Sequence, residues 1–383
     1  MTKSVMNQQS IKQFNTNKIL KLITSTDTIS RADLAKQTGL NKATVSKITD
    51  ELLDDNLVED LGYGTSSGGR KPKLLRFNPN AKYIVGVDIG VSNIDFVVMN
   101  MRLESVHSTR MKIENKDHQA VSDTLEAAYI NAARTLKITA EQIIEIAIAV
   151  PGTVDNDGLV IHAPNLGWQD LDLSQTLGKT FEDIPIRVFN EANAGALGEL
   201  NHTTNPENQN LIYVSAGIGI GTGIIISGNL YKGKMGKAGE FGHNTIVENG
   251  RECHCGRKGC WEMYASVQAL YDSLDRKNLD MDFNINNVLR ELDSNNDKVT
   301  ESINELSLYL NIGLGNVARA MNPDYIVIGN TLKYLKEYLD VDEEIQGSKV
   351  VFSKNDQHTT IEGMVSVITR KYLYQKRYAL KSI

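Results

Sequence analysis

The chain has 383 residues, of which 41% are hydrophobic and 23% are charged. This length predicts two or three domains, and the composition excludes a disordered or fibrous protein. The formal net charge of −6 argues against a protein that coats nucleic acid over its whole surface, yet the first 80 residues carry 12 Lys and Arg against 8 Asp and Glu. A small basic N-terminal region therefore precedes a large acidic body.

Neither a secretory signal nor a membrane-spanning segment is predicted. Residues 1–15 contain no apolar stretch, and glycines interrupt the uncharged run at 211–228, which favours strand, turn and strand over a membrane helix. Three cysteines are an odd and small number for a disulfide framework. We therefore expect a protein of the reducing cytoplasm, with no membrane partner.

The basic region begins with three helical segments. The first covers about residues 17–24, the second has an N-cap at Ser30 and stops at Gly39, and the third runs from about 41 to 55 with its apolar residues on one stripe. Short polar side chains and lysines cover the other face of the third helix, a pattern typical of a major-groove reader. The predicted DNA contacts on this helix are Lys42, Thr44, Ser46 and Lys47.

A two-stranded wing is predicted over residues 57–78, with a glycine-rich tip. Arg70 and Lys71 in this tip are positioned to enter a minor groove, where negative potential is concentrated. A solvated basic loop is the plain alternative for the tip alone. Three helices followed by a basic wing are typical of a winged helix-turn-helix, so residues 1–80 are predicted to bind double-stranded DNA.

From residue 81 to residue 383 the pattern changes to short apolar runs separated by turns or helical stretches. Strands interleaved with helices indicate an α/β body. About 300 residues suit two such lobes with a cleft between them.

All the cysteines of the chain fall in one segment, CHCGRKGC, at Cys253, Cys255 and Cys260. Thiolates at these spacings can converge on one tetrahedral ion, and His243 in GEFGH is the candidate for the fourth ligand. His254 is the less favoured alternative ligand, and a loop of free thiols is the alternative without metal. With protein ligands only, the site at 243–260 is predicted to hold a structural Zn²⁺.

Four motifs occur together in the body: DIG at 88–90, NEANAGALGE at 190–199, GKAGEFGH at 236–243, and the cysteine segment followed by Trp261 and Glu262. Together they resemble the ROK family of sugar kinases and sugar-responsive repressors, from residue 82 onwards. The resemblance implies a two-lobed actin/hexokinase-like (ribonuclease H-like) body. With a winged domain in front, the chain is most similar to the repressors of xylose use in Gram-positive bacteria.

The resemblance implies a sugar held in the cleft between the lobes. The matching residues, whose amide and carboxylate groups suit sugar hydroxyls, are Asn165, Asn190, Glu191, Glu240, His243 and Glu262. It also implies two contacts for His243, one ring nitrogen on zinc and the other toward the sugar. Trp168 is expected to form an apolar wall of the pocket. Xylose is the favoured effector, with glucose, another aldose or an amino sugar left open.

The kinases of this family suggest an alternative, an ATP-dependent sugar kinase with an accessory DNA-binding head. They use an aspartate as general base where this chain has Glu191, whose extra methylene moves the carboxylate by about 1.5 Å. A misplacement of about 1 Å can cost on the order of 100-fold in rate. Further departures from the kinase motifs occur at Val91, Ser92, Ile218, Thr222 and Asn330.

These departures favour a regulator that is not an enzyme. We expect a homodimer that binds a palindromic operator and is released when sugar closes the cleft. A zinc-stabilised scaffold that binds no small molecule is a third, weaker alternative.

Overall fold

A computed structural model describes residues 8–63, 72–178, 181, 184–355 and 358–374 of the chain. Residues 8–63 and 72–77 form an N-terminal head, which a short 3₁₀ turn at Pro79–Ala81 connects to a two-lobed body. The elements of the head are α1 (Gln8–Thr24), β1 (Ile29–Ser30), α2 (Arg31–Thr38), α3 (Lys42–Asp54), β2 (Val58–Tyr63) and β3 (Lys73–Phe77).

Local capping determines the helix boundaries in the head. The Ser30 side chain accepts a hydrogen bond from the Asp33 amide at 3.1 Å, and Gly39 ends α2 in the left-handed conformation with φ 72°. Asn41 caps α3 by accepting from the Thr44 amide at 2.8 Å. The predicted second and third helices are therefore confirmed.

The head differs from the sequence prediction in two places. Helix α1 begins at Gln8 rather than near residue 17, and β1 adds a third strand to the wing, giving the antiparallel order β1-β3-β2. A two-residue strand carries no periodicity, so only its pairing with β3 reveals it. The wing tip, including Arg70 and Lys71, lies outside the described residues.

The first lobe carries a five-stranded sheet of order β11-β7-β4-β5-β6, in which β4, β7 and β11 are parallel. Its elements are β4 (Tyr83–Ile89), β5 (Asn93–Asn100), β6 (Ser105–Lys112), α4 (His118–Leu136), β7 (Ile143–Val150), β8 (Thr153–Val154), β9 (Val160–Ala163), β10 (Trp168–Leu171), α5 (Leu173–Gly178) and β11 (Ile186–Asn190). Alternate residues of these strands face two separate apolar layers, one of which includes α4.

The second lobe carries a six-stranded sheet of order β14-β13-β12-β15-β17-β16. Its elements are α6 (Glu191–Asn201), β12 (Leu211–Ala216), β13 (Ile220–Ile226), β14 (Asn229–Leu230), α7 (Glu262–Ala265), α8 (Val267–Arg276), α9 (Ile285–Asp293), α10 (Asp297–Met321), β15 (Tyr325–Gly329), β16 (Glu344–Ile345) and β17 (Ser348–Phe352). The last helix, α11 (Thr359–Tyr374), returns to the first lobe and packs on its sheet and on α6. The cleft lies between the lobes, where β4, β7, β12 and β15 end, the usual binding edge of such sheets.

The head packs directly against the body. The Met101 amide donates to the Pro79 carbonyl at 3.1 Å, and the guanidinium of Arg102 lies over the Phe77 ring at 5.9 Å. The apolar core of the head also includes Met101 from the β5–β6 turn and Leu373 from α11. Among the helices of the described ranges, none is both long and apolar enough to cross a membrane.

Candidate functional site

The cleft between the lobes is a cavity of about 540 Å³. The structure brings all the residues implied for sugar binding to its wall: Asn165, Asn190, Glu191, Glu240, His243 and Glu262. Four of the residues that depart from the kinase motifs line it as well: Val91, Ser92, Ile218 and Asn330. Thr222, the fifth, is buried beside the cleft and its hydroxyl donates to the Gly239 carbonyl.

Glu191 lies at the floor of the cleft, as the first residue of α6. The Ser215 hydroxyl is 2.9 and 3.0 Å from the two carboxylate oxygens of Glu191, and the Asn330 amide nitrogen is 3.0 Å from the Ser215 oxygen. The Asn330 side chain in turn accepts from the Thr331 amide at 2.7 Å. A chain of hydrogen bonds therefore fixes this carboxylate to the second lobe.

Glu191 and Asp88 form a pair of acidic side chains at this floor. Withdrawal from water, and then the neighbouring Glu191 carboxylate, raise the pKa of Asp88 well above its ordinary value. Withdrawal from water also raises the pKa of Glu191, while hydrogen bonds from Ser215 and Asn330 lower it in part. The floor therefore offers acceptor oxygens to ligands that donate hydrogen bonds, and the raised pKa of Asp88 favours its neutral form, which can also donate one.

Glu240, His243 and Glu262 lie together on another part of the cavity wall. The Nε2 atom of His243 faces Glu240 at 3.9 Å, and its Nδ1 atom faces Glu262 at 3.3 Å. Thr153 from the first lobe reaches the Glu240 carboxylate at 3.4 Å. The two ring nitrogens of His243 thus point in different directions, one toward Glu240 and the other toward the cysteine loop.

Asn165 and Asn190 both line the cavity, but the amide of Asn190 is already engaged. Its oxygen accepts from the Asn193 amide at 2.9 Å as the N-cap of α6, and its nitrogen donates to the Gly152 carbonyl at 2.8 Å. Lys116 donates to the backbone carbonyl of Asn165 at 2.9 Å.

The expectation that Trp168 forms an apolar wall of the pocket is wrong. The Trp168 side chain is 4% exposed, belongs to the apolar core of the first lobe, and donates its indole N–H to the Lys116 carbonyl at 2.7 Å. Burial of a large aromatic ring in that core outweighs any advantage of exposing it to a ligand.

The cysteine loop brings His243, Cys253, Cys255 and Cys260 together, with one possible ligand atom from each within 4.8 Å of the others. The Sγ atoms of Cys255 and Cys260 are 3.6 Å apart, and the Sγ atom of Cys253 is 3.5 Å from Nδ1 of His243. Ligands at zinc bond lengths around a tetrahedral ion are separated by about 3.5–3.8 Å. This donor set therefore fits a metal ion.

His254, the alternative ligand, lines the cleft and lies outside this four-residue cluster. The loop turns at Gly256 and Gly259, which have φ 83° and 78°. At Gly259 an added Cβ would lie 1.7 Å from the Val247 carbonyl, so the loop can close only with glycine there.

Helix α3 presents the predicted DNA contacts at its N-terminal half. Lys42 and Lys47 are exposed, and Thr44 and Ser46 are half-buried, while Val45, Ile48, Thr49 and Leu52 face the core of the head. The helix N-terminus adds partial positive charge that favours phosphate. Arg31 of α2 is paired with Asp50 of α3 at 2.6 Å, which connects these two helices.

Comparison with known proteins divides the chain into the same head and body as the structure. A sequence profile described as the ROK family matches residues 84–369. The chain belongs to the ROK family. A profile described as winged helix-turn-helix DNA-binding matches residues 15–59 of this ROK protein, at the head.

Two relatives and one solved structure resemble this ROK protein over most of its length. The xylose repressor of Bacillus subtilis (strain 168) is 35% identical over 328 residues, or 86% of this chain and 85% of that protein. The xylose repressor of Caldicellulosiruptor bescii is 33% identical over 403 residues, or 97% and 100%. A ROK family transcriptional regulator, a homologue of the Escherichia coli Mlc protein, is 26% identical with a TM-score of 0.78, covering 97% and 98%.

Ser215 is the functional candidate of this ROK protein that sequence reasoning missed. It is 3% exposed, within β12, and it holds Glu191 in place. A polar residue near the carboxyl end of a buried strand, in the segment LIYVSA, is the signal that could have revealed it.

Proposed function

We propose that this ROK protein is a sugar-responsive, DNA-binding transcriptional repressor without enzymatic activity, and that D-xylose is its effector. Residues 1–80 are the proposed DNA-binding domain, and residues 81–383 are the proposed sensing body. The observation that carries the proposal is the convergence of hydrogen-bonding side chains on one cleft, in a chain whose head exposes Lys42 and Lys47 on α3. The relatives named xylose repressors support the choice of effector.

The state of Glu191 argues against the kinase alternative. A general base must be free to take a proton from the substrate hydroxyl. Here both oxygens of the carboxylate are within hydrogen-bond distance of Ser215, and Asn330 supports the same arrangement. Glu191 is therefore better suited to accept a stable hydrogen bond from a sugar hydroxyl than to remove its proton.

We also propose that the cysteine loop holds a structural Zn²⁺, because His243, Cys253, Cys255 and Cys260 converge there. Such an ion would fix the direction of the His243 ring, because a metal on Nδ1 leaves Nε2 to face Glu240 and the sugar. In this arrangement metal binding and sugar binding share one side chain. Removal of the metal would then disorder one wall of the pocket.

A homodimer on a palindromic operator is the proposed DNA complex. Two winged heads related by a twofold axis read two half-sites only when their spacing matches the DNA repeat. Sugar that alters this spacing lowers operator affinity, and a coupling free energy of about 1–3 kcal/mol corresponds to about a 5–150-fold change.

Operator binding measured with a panel of sugars tests this function. Fluorescence anisotropy of a labelled duplex from the gene's own promoter region gives the Kd without sugar and with D-xylose, D-glucose or N-acetylglucosamine. We expect D-xylose to raise the Kd by about 5–150-fold. A parallel assay with ATP follows sugar phosphorylation, and turnover there would establish the kinase instead.

The Glu191→Ala variant should lose the D-xylose response, because the cleft loses a carboxylate acceptor. Glu126→Ala on α4 is the matched control, and this variant should retain the D-xylose response. If the operator Kd of the wild-type protein is the same with every sugar, the proposed sensor function is contradicted. A zinc-stabilised scaffold that binds no small molecule is then favoured. Size-exclusion chromatography with light scattering checks the homodimer.

A further inference from the structure

Helix α6 connects the cleft to the second half of the chain. It begins directly after Asn190, and its first residue, Glu191, lies at the cleft floor. Two glycines let α6 and α11 touch backbone to backbone: a Cβ at Gly198 would lie 2.0 Å from the Thr359 carbonyl, and one at Gly363 would lie 2.0 Å from the Ala194 carbonyl. Because the two backbones are in direct contact, a displacement of α6 acts directly on α11.

Two further contacts fix α11 against its neighbours. Beneath it, a Cβ at Gly86 of β4 would lie 2.2 Å from the Ile361 side chain, so the helix also rests closely on the first sheet. At the far end of α6, His202 lies 3.0 Å from Glu362. The crossing of α6 and α11 is thus held on both sides of its glycine contact.

The other end of α11 enters the head. Sixteen residues give this helix a length of about 24 Å. Leu373 is 3% exposed within the apolar core of the head, and the Tyr374 carbonyl accepts hydrogen bonds from Gln13 and Asn17 of α1, each at 3.0 Å. The Tyr374 hydroxyl is also 3.3 Å from the hydroxyl of Thr24.

Within the head, α1 is bound to the proposed recognition helix. Lys12 of α1 forms an ion pair with Glu51 of α3 at 2.8 Å, and both helices contribute to the same apolar core. A change in the position of α11 at Tyr374 therefore acts on the element that supports α3.

The cleft end of this connection is held by directional hydrogen bonds. A backbone amide can only donate, so the 2.7 Å contact from the Thr331 amide identifies the accepting oxygen of Asn330 and turns its NH₂ toward Ser215. The Ser215 oxygen accepts that bond, which leaves its proton for Glu191. A ligand hydroxyl that donates to Glu191 therefore adds to or replaces the bonds that hold the start of α6 on the second lobe.

We propose that α6 and α11 transmit occupancy of the cleft to the head, and that Gln13 and Asn17 are the positioning residues at the end of this connection. This inference rests on the proposed function. A sugar hydroxyl at Glu191 shifts α6, the glycine crossing carries α11 with it, and the bonds at Tyr374 turn α1 and α3. The two heads of a dimer then lose the spacing that the operator requires.

The test is the double variant Gln13→Ala/Asn17→Ala in the full-length protein. The readout is the ratio of operator Kd values with and without D-xylose, which is insensitive to a general weakening of DNA binding. We expect this ratio to fall from about 5–150 in the wild type to below about 2. Calorimetric titration should give a D-xylose Kd unchanged within about twofold, measured without DNA, because the cleft is untouched.

Lys18→Ala is the matched control, because it removes a polar contact from α1 to the Thr38 carbonyl of α2, which stays inside the head and is not part of this connection. It should keep the wild-type ratio. If the double variant does not fold, as judged by thermal unfolding, the single variants decide: a reduced ratio in either one supports the connection.

A double variant, or a pair of single variants, with the full wild-type ratio overturns the inference. A wild-type protein whose operator affinity ignores D-xylose instead contradicts the proposed function, so the two failures are distinguishable. Reciprocity provides a second check, because saturating operator DNA must weaken D-xylose binding by the same factor in the wild type and not in the variant.

Discussion

The head and the cleft are assembled in different ways. The head takes nearly all of its structure from one continuous stretch of chain, with caps and turns formed by residues two to four positions apart, such as Ser30 with Asp33. The cleft is assembled from distant segments: Ser215 and Asn330 are 115 residues apart in sequence, and Thr153 and Glu240 are 87 apart. A substitution in the head should therefore have a local cost, whereas one in the cleft should affect several functions together.

The largest effect is expected from removing one thiol of the cysteine loop. This substitution tests whether a single change beside the cleft affects several functions together. Cys255→Ser should lower Zn²⁺ affinity by more than about 100-fold, because even the partners of metal ligands are typically worth 10–100-fold. It should also lower the thermal midpoint and abolish the D-xylose response. Metal content by mass spectrometry and unfolding with and without a chelator measure these effects.

His254→Ala is the control for that loop, because His254 lies outside the four-residue cluster and should leave the metal content unchanged. A Cys255→Ser protein that retains a full complement of zinc would show that the cluster is not the metal site. If zinc is lost and the sugar response persists, the metal and the pocket are independent, and the cleft is less interconnected than its geometry indicates.

A smaller and more separable effect is expected from the recognition helix. Replacing Lys42 and Lys47 with alanine should weaken operator binding about tenfold and reduce the slope of log Kd against log salt by roughly 2, or about 1 per phosphate contact. The D-xylose ratio should stay the same, since both side chains are exposed and neither takes part in the Lys12–Glu51 ion pair between α1 and α3. Anisotropy titrations from 50 to 200 mM salt measure the slope, with Lys349→Ala on β17 as control. An unchanged slope would remove these lysines from the DNA interface.

The smallest effect is expected at the cap of α2. Ser30→Ala removes the acceptor for the Asp33 amide and should lower the free energy of unfolding by about 1 kcal/mol. Ser25→Ala, in the preceding turn, leaves this cap in place. Urea titration followed by circular dichroism gives both values. A loss of several kcal/mol, or of the sugar response, would mean that the head is as interconnected as the cleft.

The same contrast explains what the sequence could predict. Helices α2 and α3 were predictable because Ser30, Gly39 and the apolar stripe act within a few residues. The metal cluster was also predictable, because its cysteines lie within eight residues and only His243 comes from farther away. The lobes followed from apolar runs that correspond to the central strands of both sheets.

Three of the failures depend on long-range packing. Strand β1 is too short to have a pattern and exists because Leu74 and Leu75 of β3 pair with it. Trp168 is a residue type that often packs against sugar rings, but here it is buried in the apolar core of the first lobe. Ser215 is an ordinary serine in sequence, and its importance arises only from Asn330 and Glu191 on either side of it.

The contribution of Met101 and Leu373 to the core of the head bears on any attempt to exchange heads between proteins of this architecture. A graft cut at residue 80 would leave behind two of the apolar side chains that this core needs, and would expose the surface they cover. A working chimaera should therefore import the β5–β6 turn and the last turn of α11 with the head. When two proteins differ at the β5–β6 turn and at the end of α11, exchanging only their heads should not combine the operator preference of one with the effector preference of the other.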